Sequence, residues 1–233
     1  MAKYRLDELL VRRGFCGEVI VGDQRIDKAG HRFLEDVEIR LRPRRKYKYV
    51  SRGGLKLEGA LELFGIDVDN KVCLDLGAST GGFTDCLIKA GAARVYAVDV
   101  GYGLLDWALR QDERVINLER THAGRLTATH VPEPIDIVVA DISFNSLTRL
   151  LVPALQFMKG TGILVLLIKP QFEARKEDVG AGGIVNDPEV HREVCTKIRM
   201  HLEDLGTTVV GIKPSPIRGG HGNAEFLIMS RMN

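Results

Sequence analysis

The stretch that decides the fold is Val72-Cys-Leu-Asp-Leu-Gly-Ala-Ser-Thr-Gly-Gly-Phe83. Its apolar residues favour a strand, three glycines follow, and a helical pattern begins near Thr84. A strand, a tight glycine turn and a helix in this order let a backbone approach a nucleotide-like ligand without Cβ atoms in the way. The alternative is a glycine cluster that only closes a turn. We favour the ligand site because a strand, a turn, a helix and a later acid follow one another in the order that such a site needs.

A second short strand, Arg94-Val-Tyr-Ala-Val-Asp99, ends in a carboxylate placed to bind both hydroxyls of a ribose. A dinucleotide fingerprint would read G-x-G-x-x-G, but Ser79 stands where the middle glycine belongs. The pattern D-x-G-x-x-x-G-G-F with a later V-D instead resembles the first motif of S-adenosylmethionine methyltransferases. The cofactor-binding residues that we predict are Asp75, Gly77, Ala78, Ser79, Thr80, Gly81, Gly82, Phe83, Asp99, Glu119 and Asp141.

Composition and cysteine spacing indicate a cytoplasmic protein. The 233 residues are 45% hydrophobic, yet no apolar run approaches the roughly 20 residues that span a bilayer. We expect no signal segment, because the charges of Lys3, Arg5, Asp7 and Glu8 interrupt the first residues. The four cysteines are scattered, with neither a C-x-x-C pair nor a His at ligand spacing, and Cys73 and Cys86 lie in apolar patterns typical of buried side chains. We therefore expect no metal and no membrane partner.

The net charge of +2 conceals an uneven distribution. Residues 1–58 contain 15 Lys and Arg against 9 Asp and Glu, whereas the remainder contains 18 against 22. The basic excess peaks at residues 42–52, where two tyrosines lie among the cations, as suits phosphate backbones with rings that stack on bases. The alternative is a solvated tether between domains. The RNA-binding residues that we predict are Arg5, Arg44, Arg45, Lys46, Lys48, Arg52 and Arg218.

The amino-terminal residues predict a small module over 1–45. Residues 5–14 have helical apolar spacing, 17–30 indicate two strands around a turn at Gly22-Asp23, and 37–41 alternate as a third strand. This pattern resembles the small RNA-binding domain shared by ribosomal protein S-four and pseudouridine synthases. It departs from that family because nothing between Cys16 and Gly17 corresponds to the second, basic helix. Either residues are omitted there or the module is truncated; we favour an omission, since a remnant of roughly 45 residues would hardly hold a core.

After a basic linker at 46–52, residues 53–233 alternate between strand and helix patterns. A helix capped by Ser51 is predicted over 54–64. The predicted strands are 72–76, 94–99, 114–118, 135–141, 162–168, 207–213 and 225–230, and the further helices are 82–91, 103–111, 146–158 and 188–205. Seven strands with crossover helices and a final hairpin predict an α/β fold with a doubly wound, mostly parallel sheet. Its ligands would bind at the carboxyl ends of the strands.

Four polar residues occupy positions where a buried pattern would be apolar: Lys56, Asp141, Lys169 and Glu225. In a doubly wound sheet all four can converge over the cofactor site. Their order and spacing resemble the catalytic tetrad of the FtsJ-like ribose 2′-O-methyltransferases.

Longer phrases carry a closer resemblance, to the TlyA or hemolysin A family of ribosomal RNA methyltransferases. They are Tyr49-Val-Ser-Arg-Gly-Gly-Leu-Lys56, Ala140-Asp-Ile-Ser-Phe144, Ile168-Lys-Pro-Gln-Phe-Glu173, Ser215-Pro-Ile and Gly222-Asn-Ala-Glu-Phe226. The resemblance implies transfer of a methyl group from S-adenosylmethionine to a cytidine 2′-hydroxyl in 16S and/or 23S ribosomal RNA. Ribosomal RNA or a ribosomal subunit would be the partner.

The chemistry of the acceptor fits this assignment. A ribose hydroxyl is a poor nucleophile at neutral pH and must lose its proton as it attacks a sulfonium methyl. A lysine can take that proton only if its pKa falls well below about 10.4, which desolvation or a second ammonium would cause. Lys56 beside Lys169 would supply the second ammonium, so we predict Lys169 as base or oxyanion stabiliser. Asp141 would orient the lysines, and Lys56 and Glu225 would position the ribose.

Three other functions fit the sequence less well. An NAD(P)-dependent oxidoreductase would need the complete glycine fingerprint, which is missing. A non-catalytic RNA-binding or assembly factor would keep the basic amino-terminal module but tolerate loss of the four polar residues, which are intact. A membrane-lysing activity would need a spanning or strongly amphipathic segment, and the sequence pattern contains none.

Neutralising Arg44, Arg45 and Lys46 together should weaken RNA binding steeply at low salt and leave cofactor binding unchanged. Each cation that contacts a phosphate releases a counterion, so the slope of log affinity against log salt should shrink by roughly one unit per contact removed. Filter binding over a salt series measures this slope. A triple variant with the wild-type slope and wild-type methylation would show that the segment is only a tether.

Overall fold

The computed structural model describes residues 3–5, 18–21, 24–25, 32–34, 36–42 and 48–233, apart from 144. The chain forms two compact units, Met1–Tyr47 and Lys48–Asn233. The first unit contains strands β1 (Lys3–Arg5), β2 (Glu18–Val21), β3 (Gln24–Arg25), β4 (Arg32–Leu34) and β5 (Ile39–Arg42).

All strand pairs described in the first unit are antiparallel. β1 pairs with β4, and β2 pairs with both β3 and β5. The strands expected on both sides of Gly22-Asp23 are therefore confirmed, as is the third strand. Arg5 ends a strand, so our placement of it at the start of a helix was wrong. The rest of that predicted helix, the linker residues 43–47 and the junction between Cys16 and Gly17 lie outside the described residues.

The second unit is built on a seven-stranded sheet. Its strands are β6 (Val72–Leu76), β7 (Arg94–Val98), β8 (Val115–Leu118), β9 (Ile135–Ala140), β10 (Met158–Ile168), β11 (Thr207–Pro214) and β12 (Phe226–Met232). Their order across the sheet is β11-β12-β10-β9-β6-β7-β8. β12 runs antiparallel to both of its neighbours, and the other pairs are parallel. The predicted doubly wound sheet with a final hairpin is confirmed.

Seven α-helices are described in this unit. They are α1 (Gly53–Phe64), α2 (Gly82–Lys89), α3 (Trp107–Arg110), α4 (Leu147–Leu150), α5 (Val152–Leu155), α6 (Pro170–Glu173) and α7 (Pro188–Asp204). Single 3-10 turns occur at Ala123–Arg125, Lys176–Asp178, Ala181–Gly183 and Gly220–Gly222. No helix of the described residues is long and apolar enough to cross a membrane.

Three helix predictions were wrong in detail. The helix expected over 146–158 is split into α4 and α5, because Pro153 has no N–H to bond to the preceding turn. The helix expected over 103–111 shrinks to α3, since Gly103 takes a left-handed conformation and the Asp106 side chain caps the helix by accepting from the Ala108 N–H at 3.0 Å. Arg52, not Ser51, precedes α1 as its cap residue.

The core occupies both faces of the sheet, as the continuous apolar runs of parallel strands require. On one face Leu57 of α1 and Leu87 of α2 pack over strand residues such as Val165. On the other face Ile198 of α7 packs over residues such as Leu166. Cys73, Cys86 and Cys195 are free and buried, as we expected for the first two. With both faces covered, ligands can reach the sheet at its carboxyl edge.

Candidate active site

The turn between β6 and α2 lies directly against the end of β9. The backbone N–H groups of Gly77 and Ala78 donate to the Val98 carbonyl at 2.9 and 3.1 Å, which fixes the turn to β7. Gly77 has a φ of +83°, and a Cβ there would lie 3.0 Å from the Asp141 carbonyl oxygen. The absence of a side chain at Gly77 therefore lets Asp141 approach the turn.

The start of α2 is equally close to the segment that leads into α1. A Cβ on Gly82 would collide with the Ser51 Oγ and would lie 2.9 Å from the Gly54 nitrogen. Lys56 follows one helical turn after Ser51 and is buried, with 9% of its surface exposed. The glycine at position 82 therefore brings the helix that carries Lys56 to the glycine turn.

Asp99, the predicted ribose ligand, follows β7 and lines a cavity. Its Oδ2 accepts from the Ser79 N–H at 2.8 Å, and its Oδ1 accepts from the Gly101 N–H at 2.7 Å. Ser79 has a left-handed φ of +50°, which costs a non-glycine residue energy that the Asp99 bond offsets. Asp99 thus holds the tip of the glycine turn as well as facing the cavity.

Glu119 lines neither of the two cavities that adjoin the glycine turn. Its Oε1 accepts from the Leu104 N–H at 3.1 Å and from the Leu105 N–H at 3.4 Å, and it pairs with Arg110. Burial would raise the pKa of Glu119, but the backbone donors and the guanidinium outweigh burial and lower this pKa. In this structure Glu119 braces the loop that follows Asp99. Its role as a cofactor ligand stays a prediction.

Asp75 also lies beneath the site rather than in its wall. Its side chain is completely buried, and its Oδ2 accepts from the Thr84 hydroxyl at 2.6 Å. Burial raises the pKa of Asp75 from an ordinary 3.8 to about 7, and the nearby Asp141 and Asp99 charges act in the same direction. Its role as a cofactor ligand is likewise still a prediction.

Two adjoining cavities meet at the glycine turn. The smaller, of about 380 Å³, is lined by Asp99, Val100, Gly101, Leu104, Thr121, His122, Ala123 and Ile142, among others. The larger, of about 490 Å³, is lined by Ala78, Thr80, Gly82, Phe83, Ser51, Gln171, Phe172, Asn223 and the four predicted catalytic residues, among others. Gly77, Ser79, Asp141 and Ser143 line both cavities. Gly81 lines neither, because it packs against Leu105 and Leu109.

The four predicted catalytic residues all lie in the wall of the larger cavity, as two ion pairs. The Lys56 Nζ donates to the Glu225 Oε2 at 2.6 Å, and both side chains are buried. The Lys169 Nζ lies 2.5 Å from the Asp141 Oδ1 and donates to the Ser143 Oγ at 2.7 Å. Each ammonium therefore has a carboxylate partner, which is the arrangement in which Asp141 and Glu225 would orient the lysines.

Ser143 was missed by the sequence argument. It stands two residues after Asp141, and only the approach of Lys169 from β10 shows its role. Gln171, Phe172 and Asn223 were missed for the same reason, since each reaches the cavity from a loop or a single helical turn. The signal in the sequence that could have indicated them is their place in the quoted phrases around Asp141, Lys169 and Glu225.

The structure describes the side chains of three of the seven predicted RNA-binding residues. The Arg52 Nη2 donates to the Arg218 carbonyl at 2.7 Å, and the Arg218 Nη1 donates to the Gly222 carbonyl at 2.9 Å, so both have structural bonds. Lys48 is exposed and pairs with Glu58. Arg44, Arg45 and Lys46 lie outside the described residues, as does the side chain of Arg5.

In the part of the chain that is described, no three His, Cys, Asp or Glu side chains are grouped to hold a metal ion.

Asp75→Asn should flatten the dependence of stability on pH. Between pH 4 and 7 the folded protein keeps a proton on Asp75 that the unfolded chain has lost, so stability falls as the pH rises through this range. We expect the wild-type free energy of unfolding to fall by up to about 4 kcal/mol more than that of the variant. Urea unfolding of the ligand-free protein at several pH values measures this. Asp67→Asn, at an exposed carboxylate, is the control, and parallel wild-type and Asp75→Asn profiles would contradict the assignment.

Comparison with known proteins identifies the family. Residues 49–232 match the model of the FtsJ-like methyltransferases. The chain is 43% identical to the "Putative rRNA methyltransferase YqxC" of Bacillus subtilis, over 97% of this chain and 85% of that protein. It is 42% identical to the 16S/23S rRNA (cytidine-2′-O)-methyltransferase TlyA of Mycobacterium tuberculosis, over 97% of this chain and 89% of that one.

A solved structure agrees with these relatives. "The crystal structure of a putative hemolysin from Lactococcus lactis" superposes with a TM-score of 0.78 at 43% identity, covering 81% of this chain and 90% of that one. The family match covers the whole sheet and all four ion-paired residues. This chain therefore belongs to the FtsJ-like methyltransferase family.

Proposed function

We propose that this protein transfers a methyl group from S-adenosylmethionine to the 2′-hydroxyl of a cytidine in 16S and/or 23S ribosomal RNA. The observation that carries the proposal is the convergence of two lysine–carboxylate pairs on a cavity that adjoins the glycine turn. The name of the 42% identical Mycobacterium tuberculosis relative supports the choice of nucleotide and of RNA. A ribosomal RNA substrate also implies a cytoplasmic location.

The cavities fit the cofactor. The smaller one has the Asp99 carboxylate at its wall for the ribose hydroxyls, with Val100, Leu104 and Ile142 as apolar surface for a purine. Gly77 and Ser79 connect it to the larger cavity, where the start of α2 offers backbone N–H groups to a carboxylate. We assign the adenosine to the smaller cavity and the amino-acid end to Thr80, Gly82 and Phe83. When bound, the cofactor supplies a methyl group activated on a sulfonium.

Lys169 would handle the proton of the acceptor hydroxyl. Lys169 is 7% exposed, and its ammonium lies 2.5 Å from the Asp141 Oδ1 and donates to the Ser143 Oγ at 2.7 Å. An ammonium has three N–H donors, so donors remain for an acceptor oxygen. Two roles are open to it, removal of the hydroxyl proton and stabilisation of the charge that develops on the oxygen. Asp141 and Ser143 fix its position in either role.

Lys56 and Glu225 would position the acceptor ribose. Their pair joins α1 to the residue before β12, and the Ser215 N–H donates to the Glu225 carbonyl at 2.8 Å. A Cβ on Gly219 would overlap the Glu225 Oε1, so the glycine leaves room for this carboxylate. The buried pair therefore presents polar atoms at a fixed place in the cavity wall, suited to hydroxyl groups of the substrate.

The amino-terminal residues would supply RNA affinity. We propose an RNA-binding module over 1–45, a basic linker over 46–52 and a catalytic domain over 53–233. The antiparallel strands β2, β3 and β5 support such a module. The match to the Bacillus subtilis relative runs over 240 positions, more than the 233 residues of this chain. The relative therefore has residues without a counterpart in this chain, as expected if the second helix of the module is missing between Cys16 and Gly17.

Asp99→Ala should weaken S-adenosylmethionine binding by about 1–3 kcal/mol, the range for hydrogen bonds to a charged group. Calorimetric titration measures the affinity, and thermal unfolding checks that the turn is intact despite loss of the bonds to Ser79 and Gly101. Asp112→Ala, at a carboxylate outside both cavities, is the control. An unchanged affinity in a folded Asp99→Ala protein would remove this residue from the ribose-binding role.

Lys169→Ala should abolish methyl transfer to ribosomal subunits and leave cofactor affinity near normal, because this ammonium acts at the acceptor. Lys159→Ala, which removes a lysine from the other end of β10, should have little effect. Incorporation of labelled methyl groups into ribosomal RNA measures transfer.

The Lys169→Arg variant separates the two roles of this residue. A guanidinium does not lose its proton at working pH, so failure of this variant supports the base, and substantial turnover supports the electrostatic stabiliser. A fully active Lys169→Ala protein would contradict both roles. The non-catalytic RNA-binding and membrane-lysing alternatives predict no methyl transfer by the wild-type protein.

A further inference from the structure

Two glycine-rich loops form part of the larger cavity beside the four ion-paired residues. Gly182 and Gly183 come from the loop between α6 and α7, and Gly220 and His221 come from the loop before Glu225. None of these four residues lines the smaller cavity that contains Asp99. They therefore lie on the acceptor side of the site if the adenosine occupies the smaller cavity.

Asn223 locks the two loops together. Its side chain is 3% exposed, its Oδ1 accepts from the Val185 N–H at 3.0 Å, and its Nδ2 donates to the carbonyls of Gly183 at 2.9 Å and Gly220 at 3.4 Å. The Gly219 N–H donates back to the Asn223 carbonyl at 2.9 Å. A buried amide that uses both of its ends in this way holds the wall in one arrangement before any ligand arrives.

Gly220 is a glycine that neither backbone conformation nor packing requires. It lacks the positive φ that explains Gly182, Gly183 and Gly222, and a Cβ added to it would meet no heavy atom within 4 Å. The fold would therefore accept an alanine at position 220. Because Gly220 lines the cavity, its missing side chain leaves the backbone open to close approach by a ligand.

His221 is presented to the same cavity at a cost in backbone energy. Its φ is +54°, a left-handed conformation that costs a non-glycine residue about 1 kcal/mol or more. The side chain is exposed, and within the described part of the chain its ring makes no hydrogen bond or ion pair. Imidazole rings in such positions stack on unpaired bases of RNA.

We propose that these two loops are the binding subsite for the acceptor nucleotide. The Gly220 backbone lies against its sugar and phosphate, and the His221 ring stacks on its base. Asn223 is a positioning residue that holds the wall. This subsite rests on the proposed function, since a nucleotide that presents its ribose to Lys169 must place its base and phosphate elsewhere in the same cavity.

Gly220→Ala tests the backbone contact. The variant should raise the KM for ribosomal subunits at least 10-fold, with cofactor affinity and melting temperature unchanged. Gly160→Ala is a matched control, because Gly160 also has open space at its Cβ and no positive φ but lines neither cavity. An unchanged KM in Gly220→Ala would overturn the contact.

His221→Asn tests the ring. Asparagine tolerates the left-handed conformation but cannot stack, so kcat/KM for ribosomal subunits should fall about 10-fold to 100-fold. His221→Phe, which keeps a ring, should recover at least part of this loss. His130→Asn, at a histidine outside both cavities, is the control. Equal activity of His221→Asn and wild type would overturn the stacking contact.

These measurements separate the subsite from the proposed function. Methylation by the wild-type protein tests the function, and the ratio of variant to wild type tests the subsite. A wild-type protein that methylates ribosomal RNA, with variants that do so equally well, would contradict the subsite alone. No methylation by the wild-type protein would contradict both.

Discussion

The site depends on how closely two segments approach the turn between β6 and α2. A Cβ added to Gly77 would lie 3.0 Å from the Asp141 carbonyl oxygen. A Cβ added to Gly82 would likewise be too close to Ser51 and Gly54. A side chain at either position would push away the strand that leads to Asp141 or the helix that carries Lys56. The glycines of the turn between β6 and α2 therefore have a structural role of their own. They allow both ion pairs to reach the cavity beside it.

The two ion pairs join parts of the chain that are distant in sequence. Lys56 lies in α1, Asp141 follows β9, Lys169 follows β10, and Glu225 precedes β12. β12 runs antiparallel between β10 and β11, so its beginning lies at the edge where the parallel strands end. Burying such pairs costs desolvation energy that their attraction only partly returns. Their presence in a cavity wall is better explained by chemistry than by stability.

The sequence could predict the sheet because its parallel strands are buried on both faces and therefore appear as continuous apolar runs. The four charged residues stood out against those runs. Glu119 shows the limit of the same reasoning, since a strand-end acid can bind a loop instead of a ligand, and only the folded chain brings Leu104 and Arg110 to it. Ser143 and Asn223 could not be predicted because their roles come from partners 26 and 38–40 residues away.

Locating the transferred methyl group in the ribosomal RNA tests the proposed function most directly. Ribosomal subunits lacking the modification would be incubated with the protein and S-adenosylmethionine, and the RNA digested to nucleosides and separated by mass. We predict 2′-O-methylcytidine at a defined position in 16S and/or 23S RNA. A methyl group on a base, or RNA that is bound but never methylated, would contradict the central claim that these ion pairs activate a ribose hydroxyl.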